Sequence, residues 1–233
     1  MKILSLSDIE ISFIYSPLII ERFISTDLVI SCGDLPYYYL EYIISTLNRP
    51  LYFVSGNHSN SIEETVAGPR ASPWGGINLH RRVCNCNGLL MAGIEGCQRY
   101  NNGKGQYTQD EMWMMVWSMV PKLFLNKLRY GRYLDILVTH APPAGIHDME
   151  DLPHQGIRAF RWLLKVFKPL YHLHGHTHIY RSDAITETLF GSTIVVNTCG
   201  FRETNINDDH LHGKQKRVKP QKALHPYKKE GTD

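Results

Sequence analysis

The sequence predicts an α/β fold whose strands are parallel at least in part, and two observations carry that prediction. Short β-type runs alternate with helical ones along the chain. Three successive strands also run into polar or acidic residues at their C-terminal ends, the edge where open α/β sheets build sites. Ile3–Leu6 is the first strand and leads to Asp8 and Glu10. Ser16-Pro17 then reads as the cap and first position of a helix reaching about Ile24. Leu28–Ser31 is the second strand and ends in Gly33-Asp34, and Tyr37 to Leu47 is helical. Leu51–Val54 is the third and ends in Gly56-Asn57-His58.

The middle is less regular. Two glycine-rich loops, Gly68 to Gly76 and Glu95 to Gly105, flank a predicted hairpin of Leu79–Cys84 with Leu89–Ile94. Thr108-Gln109-Asp110-Glu111 has the pattern of a capping box. The helix it starts carries Trp113, Met114, Met115, Trp117 and Met119, and Pro121 separates it from a second helical stretch to Tyr130. That Met/Trp stripe reads as core or a dimer face rather than a ligand box. Leu134–Val138 is a strand ending in Thr139-His140, and Gly156 to Phe167 is an amphipathic helix. Leu170–Leu173 is a strand that ends in His174-Gly175-His176-Thr177-His178. Ser182–Leu189 and Thr193–Val196, joined by Gly191-Ser192, make a closing hairpin.

Composition narrows the class. With 233 residues, 43% hydrophobic and 20% charged, the chain suits one globular domain, taken as 1–201. No apolar run approaches the roughly 18 residues of a membrane span, and no signal peptide is evident, so a cytoplasmic protein is expected. Five cysteines without framework spacing argue against a disulfide scaffold, and the Cys84-x-Cys86 pair reads as strand or turn cysteines. The net charge of +3 comes entirely from the tail, 202–233, where Lys214 to Lys229 holds seven basic residues and no acid. Such a run can touch nucleic acid, though a solvated terminus is the plainer reading.

The strand ends collect Asp8, Glu10, Asp34, Asn57, His58, His140, His176 and His178, which a sheet brings together across 170 residues of sequence. Carboxylates, an amide oxygen and imidazoles suit borderline transition ions such as Mn, Fe, Co or Zn. Two ions about 3.5–4 Å apart need a bridging carboxylate, and Asp34, on the middle of the early strands, is placed for it. His-Gly-His-Thr-His is the most specific of the motifs, because alternate residues of an extended segment point the same way.

In order and spacing, the series D-x-E, G-D, G-N-H, T-H-A-P-P and H-G-H-T-H resembles the calcineurin-like metallophosphoesterases over roughly residues 1–200. The resemblance implies a four-layer sandwich, two mixed β-sheets flanked by helices, with two divalent metal ions at the strand ends. Asp8 and His178 would hold the first metal, Asp34 would bridge, and Asn57, His140 and His176 would complete the second site. His58 would be the non-ligand catalytic histidine that assists the leaving oxygen. The implied reaction is phosphoester hydrolysis by a metal-bridging hydroxide, on a small phosphodiester or nucleotide.

Two positions depart from the family pattern. Glu10 stands where D-x-H has histidine, and Ser59 stands where G-N-H is followed by an acid. Glu10 either coordinates the first metal through oxygen or points elsewhere. Arg99 and His154 are candidates for substrate binding, with Lys104, His147 and Tyr37 to Tyr39 beside them. His174 reads as supporting a ligand rather than being one. Two alternatives stand beside the enzyme: a weak or inactive scaffold of the same fold that binds proteins, and a nuclease using the basic tail. Oligomeric state is open, a homodimer included.

Overall fold

In the structure, a computed structural model, residues 1–58, 63–65, 68–181 and 183–207 are described. Ser59 and the basic run from Lys214 to Lys229 lie outside the described residues. In chain order the first elements are β1 (Lys2–Ser7), α1 (Leu18–Phe23), β2 (Leu28–Ser31), α2 (Tyr37–Leu47) and β3 (Leu51–Phe53). Short strands follow: β4 (Glu63–Thr65), β5 (Gly68–Arg70) and β6 (Gly76–Asn78). Next come β7 (Arg82–Cys86), β8 (Leu89–Ile94), β9 (Cys97–Gln98), β10 (Gln106–Tyr107) and α3 (Gln109–Tyr130). The chain continues through β11 (Ile136–Thr139), α4 (Arg158–Phe167) and β12 (Tyr171–His174). It closes with β13 (Glu187–Phe190), β14 (Thr193–Asn197) and β15 (Gly200–Asn205).

Two mixed sheets form the centre. One has the order β15-β1-β2-β3-β6 and the other β13-β14-β12-β11-β8-β7. Strand alternation sorts the side chains into three apolar layers. Ile3, Leu28 and Ile30 of the first sheet meet Met91, Ile136, Val138 and Leu173 of the second, so the sheets pack face to face. Leu4, Leu6 and Val29 point the other way, onto Ile19, Phe23, Leu40 and Ile43 of α1 and α2. Leu137 and Val195 likewise pack on Met115, Met119, Phe160 and Leu163 of α3 and α4. The layers therefore run helix, sheet, sheet, helix, as the family resemblance implied.

Several boundaries differ from the sequence expectation. The hairpin partner of β8 begins at Arg82 rather than Leu79. α3 is one helix through Pro121, not two, because Met119 and Leu123 on either side are both buried against the second sheet. That packing offsets the ~3 kcal/mol a proline costs inside a helix. α3 does begin with the capping box: Thr108 Oγ1 accepts from Glu111 N at 3.2 Å, and the Glu111 carboxylate accepts from Thr108 N at 2.7 Å. β15 adds a strand that the sequence pattern does not show. It pairs antiparallel with β1, Lys2 opposite Asn205 through Ser7 opposite Gly200, so Arg202 to Asn205 belong to the sheet rather than to a tail. Among the described residues no helix is long and apolar enough to cross a membrane. Cys84 and Cys86 sit on β7, and all five cysteines are free thiols.

Candidate metal centre

Parallel pairing sets the strand ends side by side. β1 pairs with β2 and β2 with β3, which brings Asp8, Asp34 and Asn57 to one edge. In the second sheet β11 pairs with β12, which aligns His140 with the His174–His178 segment; Gly175 N donates to His140 O at 3.0 Å. The backbone crosses between sheets at the same level, where Gly96 N donates to Ser55 O at 2.9 Å.

The turns that aim these side chains are strained. Asp8, Asp34 and His176 all hold positive φ, at 63°, 54° and 68°. Such backbone is uncommon outside glycine and collects at functional sites. Two glycines make the close approach feasible. A Cβ at Gly56 would run into the Asp34 carboxylate and the His140 ring, and one at Gly175 would lie 2.6 Å from Asp8 Oδ2.

The centre is built around His140 Nε2. His140 Nδ1 lies 2.8 Å from Cys32 O, and a carbonyl only accepts, so Nδ1 carries a proton and in the neutral ring the Nε2 lone pair faces the site. His176 is fixed the same way: Nε2 donates to Pro153 O at 2.8 Å, leaving the Nδ1 lone pair directed at His140 Nε2, 3.1 Å away. Asn57 Nδ2 donates to the Tyr100 hydroxyl at 3.2 Å, which turns Asn57 Oδ1 to within 2.9 Å of His140 Nε2. Asp34 Oδ2 stands 3.1 Å from the same nitrogen. Two imidazole nitrogens, an amide oxygen and a carboxylate oxygen thus point lone pairs at one place. Protonating His140 supplies one hydrogen for three acceptors, whereas a single cation satisfies all four donors. The ligand atoms of Asp34, His140 and His176 lie within 4.8 Å of one another, and this N/O donor set fits a borderline divalent transition ion.

Electrostatics place a proton on that nitrogen in the metal-free protein. Burial alone would depress the His140 pKa, but the adjoining Asp34 carboxylate, with help from Asp8, pushes it up to about 9. For Asp34 burial would raise the value, yet His140 and the His58 N–H, which donates to Asp34 Oδ1 at 2.9 Å, hold it well below the carboxylate range. Burial, reinforced by repulsion from His140, drops His176 to about 3, so its ring is neutral near pH 7. Burial raises Asp8, which His140 and the Ser7 hydroxyl only partly offset.

The other sequence candidates are placed as follows. Asp8 adjoins the centre, and its carboxylate accepts from His176 N at 3.0 and 3.1 Å. Glu10 is not in the cluster: it is exposed, and its carboxylate accepts from the Tyr38 hydroxyl at 2.6 Å. Nor is His178, whose half-buried ring stacks on Tyr180 at 5.9 Å. His58 is exposed beside Asp34. His154 bonds Asp151 at 2.6 Å and sets its ring, tilted by 38°, 5.0 Å from that of His176, while Arg99 is paired with Glu111 at 2.9 Å. His174 bonds His147, at 2.9 Å, and so braces rather than lines the site. Tyr37 and Tyr39 are buried in the helix packing. Sequence reasoning does not single out Tyr100, Cys32 O or Pro153 O; the only signal for Tyr100 is its place in a glycine-rich loop.

The family model for calcineurin-like phosphoesterases matches residues 1–180. The chain belongs to that family. Its members typically use dinuclear divalent metals, and the Asp34–His140–His176 cluster could hold one such ion. One solved structure 16% identical to the chain covers 85% of it and 90% of its own length, with a TM-score of 0.58. TT1561 of Thermus thermophilus, 15% identical, covers 85% and 89% with a TM-score of 0.55. At these identities the likeness is one of fold. The phosphopantetheinyl hydrolase PptH of Mycobacterium tuberculosis, 14% identical, covers 85% and 88% with a TM-score of 0.47. No curated protein matches the sequence.

Proposed function

We propose that this protein is a hydrolase of small phosphodiesters or nucleotides, dependent on two divalent ions and working in the cytoplasm. The convergence of four lone pairs on one cation position carries the reading. His140, His176, Asn57 and Asp34 would hold one ion, and Asp8 with Asp34 the other, with His178 and Glu10 as its further donors; manganese suits the mixed N/O set. Bound ions of this kind supply a water whose pKa falls to near neutrality and neutralise phosphate oxygens.

The chain's own residues do the rest. The Cys32 and Pro153 carbonyls keep both imidazoles in the ligating tautomer, so no proton has to leave those lone pairs when His140 is neutral. Tyr100 orients the Asn57 amide. His58, held beside Asp34 through its own N–H, is exposed and free to present its ring to the leaving oxygen and donate a proton there. His154, lying over His176, borders the space a substrate would enter.

The test is hydrolysis of an aryl phosphodiester and an aryl phosphomonoester with added Mn²⁺. Metal-dependent turnover that drops about 100-fold in His58→Ala, with metal content unchanged, supports the proposal. Full activity in that variant contradicts the role of His58, and no turnover with any divalent ion contradicts the function. A second reading, a non-catalytic scaffold, draws on the bond that takes Glu10 to Tyr38. It requires purified protein free of bound metal, whereas the hydrolase binds it.

A further inference from the structure

We propose that α3 is a self-association helix, pairing antiparallel with α3 of a second copy of this chain about Pro121. The helix is apolar on two opposite faces. One face, with Met112, Met115, Val116, Met119 and Leu123, is buried in the domain. The other carries Met114, Trp117, Pro121, Phe124 and Leu128, all exposed, with Leu125 beside them. Their exposure is high: 64% for Met114, 54% for Trp117 and 85% for Leu128. Single exposed apolar residues are ordinary, but a contiguous stripe of them marks an interaction surface. The spacing from Met114 to Leu128 is 3-4-3-4, the seven-residue repeat by which one helix seats against another.

That spacing calls for a helical partner, and the apolar positions on either side of Pro121 fit a second copy of the same helix. Met114 and Leu128 each lie seven residues from Pro121, and Trp117 and Leu125 each lie four. Turned end for end about Pro121, the helix sets Met114 against Leu128 of the second copy, Trp117 against its Leu125, and Phe124 opposite the small Ser118. This is the self-complementarity a two-fold interface requires. Charge selects the same direction. The first turn carries Asp110, with Glu111 beside it bonded to Arg99, and the last carries Lys127 and Arg129. Antiparallel pairing puts the acidic end of each helix on the basic end of the other, and opposes the helix dipoles; parallel pairing would set like against like. The 22-residue helix is about 33 Å long, enough for three repeats. Trp162 of α4, 4.9 Å from Trp117, and the exposed Val166 widen the apolar patch on one side.

Light scattering on the full chain tests this. The wild type is expected at twice its 26.8 kDa mass in the micromolar range. Leu128→Glu, at a position too exposed to disturb the fold, should weaken the dimer by about 100-fold or more. Asp110→Lys should weaken it about tenfold, and adding Arg129→Glu should restore it. In mixtures of single-cysteine variants, Met114→Cys should cross-link to Leu128→Cys faster than either does to itself. A monomer at about 100 µM, well above the micromolar range of specific homodimers, overturns the proposal and leaves the stripe to a different protein. A dimer indifferent to Leu128→Glu, or Met114→Cys cross-linking preferentially to itself, also overturns it.

Discussion

The two halves of the metal centre are built to different standards. Around His140, every donor is held by a partner, and all of these but the Tyr100 hydroxyl have a fixed donor or acceptor role. Two backbone carbonyls set the imidazole tautomers, Tyr100 sets the amide, and the His58 N–H sets the carboxylate. On the Asp8 side only the aspartate is held, by His176 N. Glu10 spends its carboxylate on Tyr38, and His178 lies on Tyr180. Preorganisation is what separates a tight site from a weak one, because donors already in place lose little entropy on binding. The quartet should therefore fill first, and the Asp8 side only at higher metal concentration.

The contrast can be broken most severely at Asp34, the residue proposed to serve both halves. Asp34→Asn should cost roughly 1000-fold in kcat/KM, since the several kcal/mol of charge stabilisation a metal centre supplies corresponds to about 1.4 kcal/mol per tenfold. Steady-state kinetics at saturating Mn²⁺ measure it. The next effect is pH. In the metal-free protein His140 has a pKa raised from 6.5 to about 9, so a metal must displace its proton. Affinity at the quartet should climb about tenfold per pH unit from neutrality and level off above the His140 pKa, as calorimetric titration would show. The same shift stabilises the metal-free fold fully below pH 6.5 and is lost as pH rises through about 9. Asp34, lowered from 3.8, contributes above that value and loses its share as acid protonates it.

Smaller changes sharpen the comparison. Tyr100→Phe retains a ring of the same shape but removes the oxygen that the Asn57 amide donates to, and should weaken the ion at the His140 quartet about tenfold. Glu10→Gln should change affinity for that ion by less than about twofold, because Glu10 faces Tyr38, an exposed contact of small energetic weight. Both follow from metal titration of the purified variants.

The sequence made the strand ends legible because ligands had to follow strands, and α2 and β2 carry boundaries that pattern alone located. β15 was not legible: Arg202, Glu203 and Asn205 look like the start of a polar tail, and the strand exists through its pairing with β1 at the other end of the chain. Pro121 misled for the converse reason, since tertiary packing overrode a local helix breaker. At the site, the letters named side chains that the fold brings together, but not what orients them. Backbone carbonyls such as Cys32 O and Pro153 O have no letter, and the Tyr38–Glu10 bond joins a helix start to a loop whose approach only the fold determines.

The most direct measurement is anomalous diffraction from protein crystallised with one equivalent of Mn²⁺. A single ion bound by His140 Nε2, His176 Nδ1, Asn57 Oδ1 and Asp34, with Glu10 still on Tyr38, is the predicted result. An ion held first by Asp8 with Glu10 or His178, and none between the two imidazoles, would contradict it.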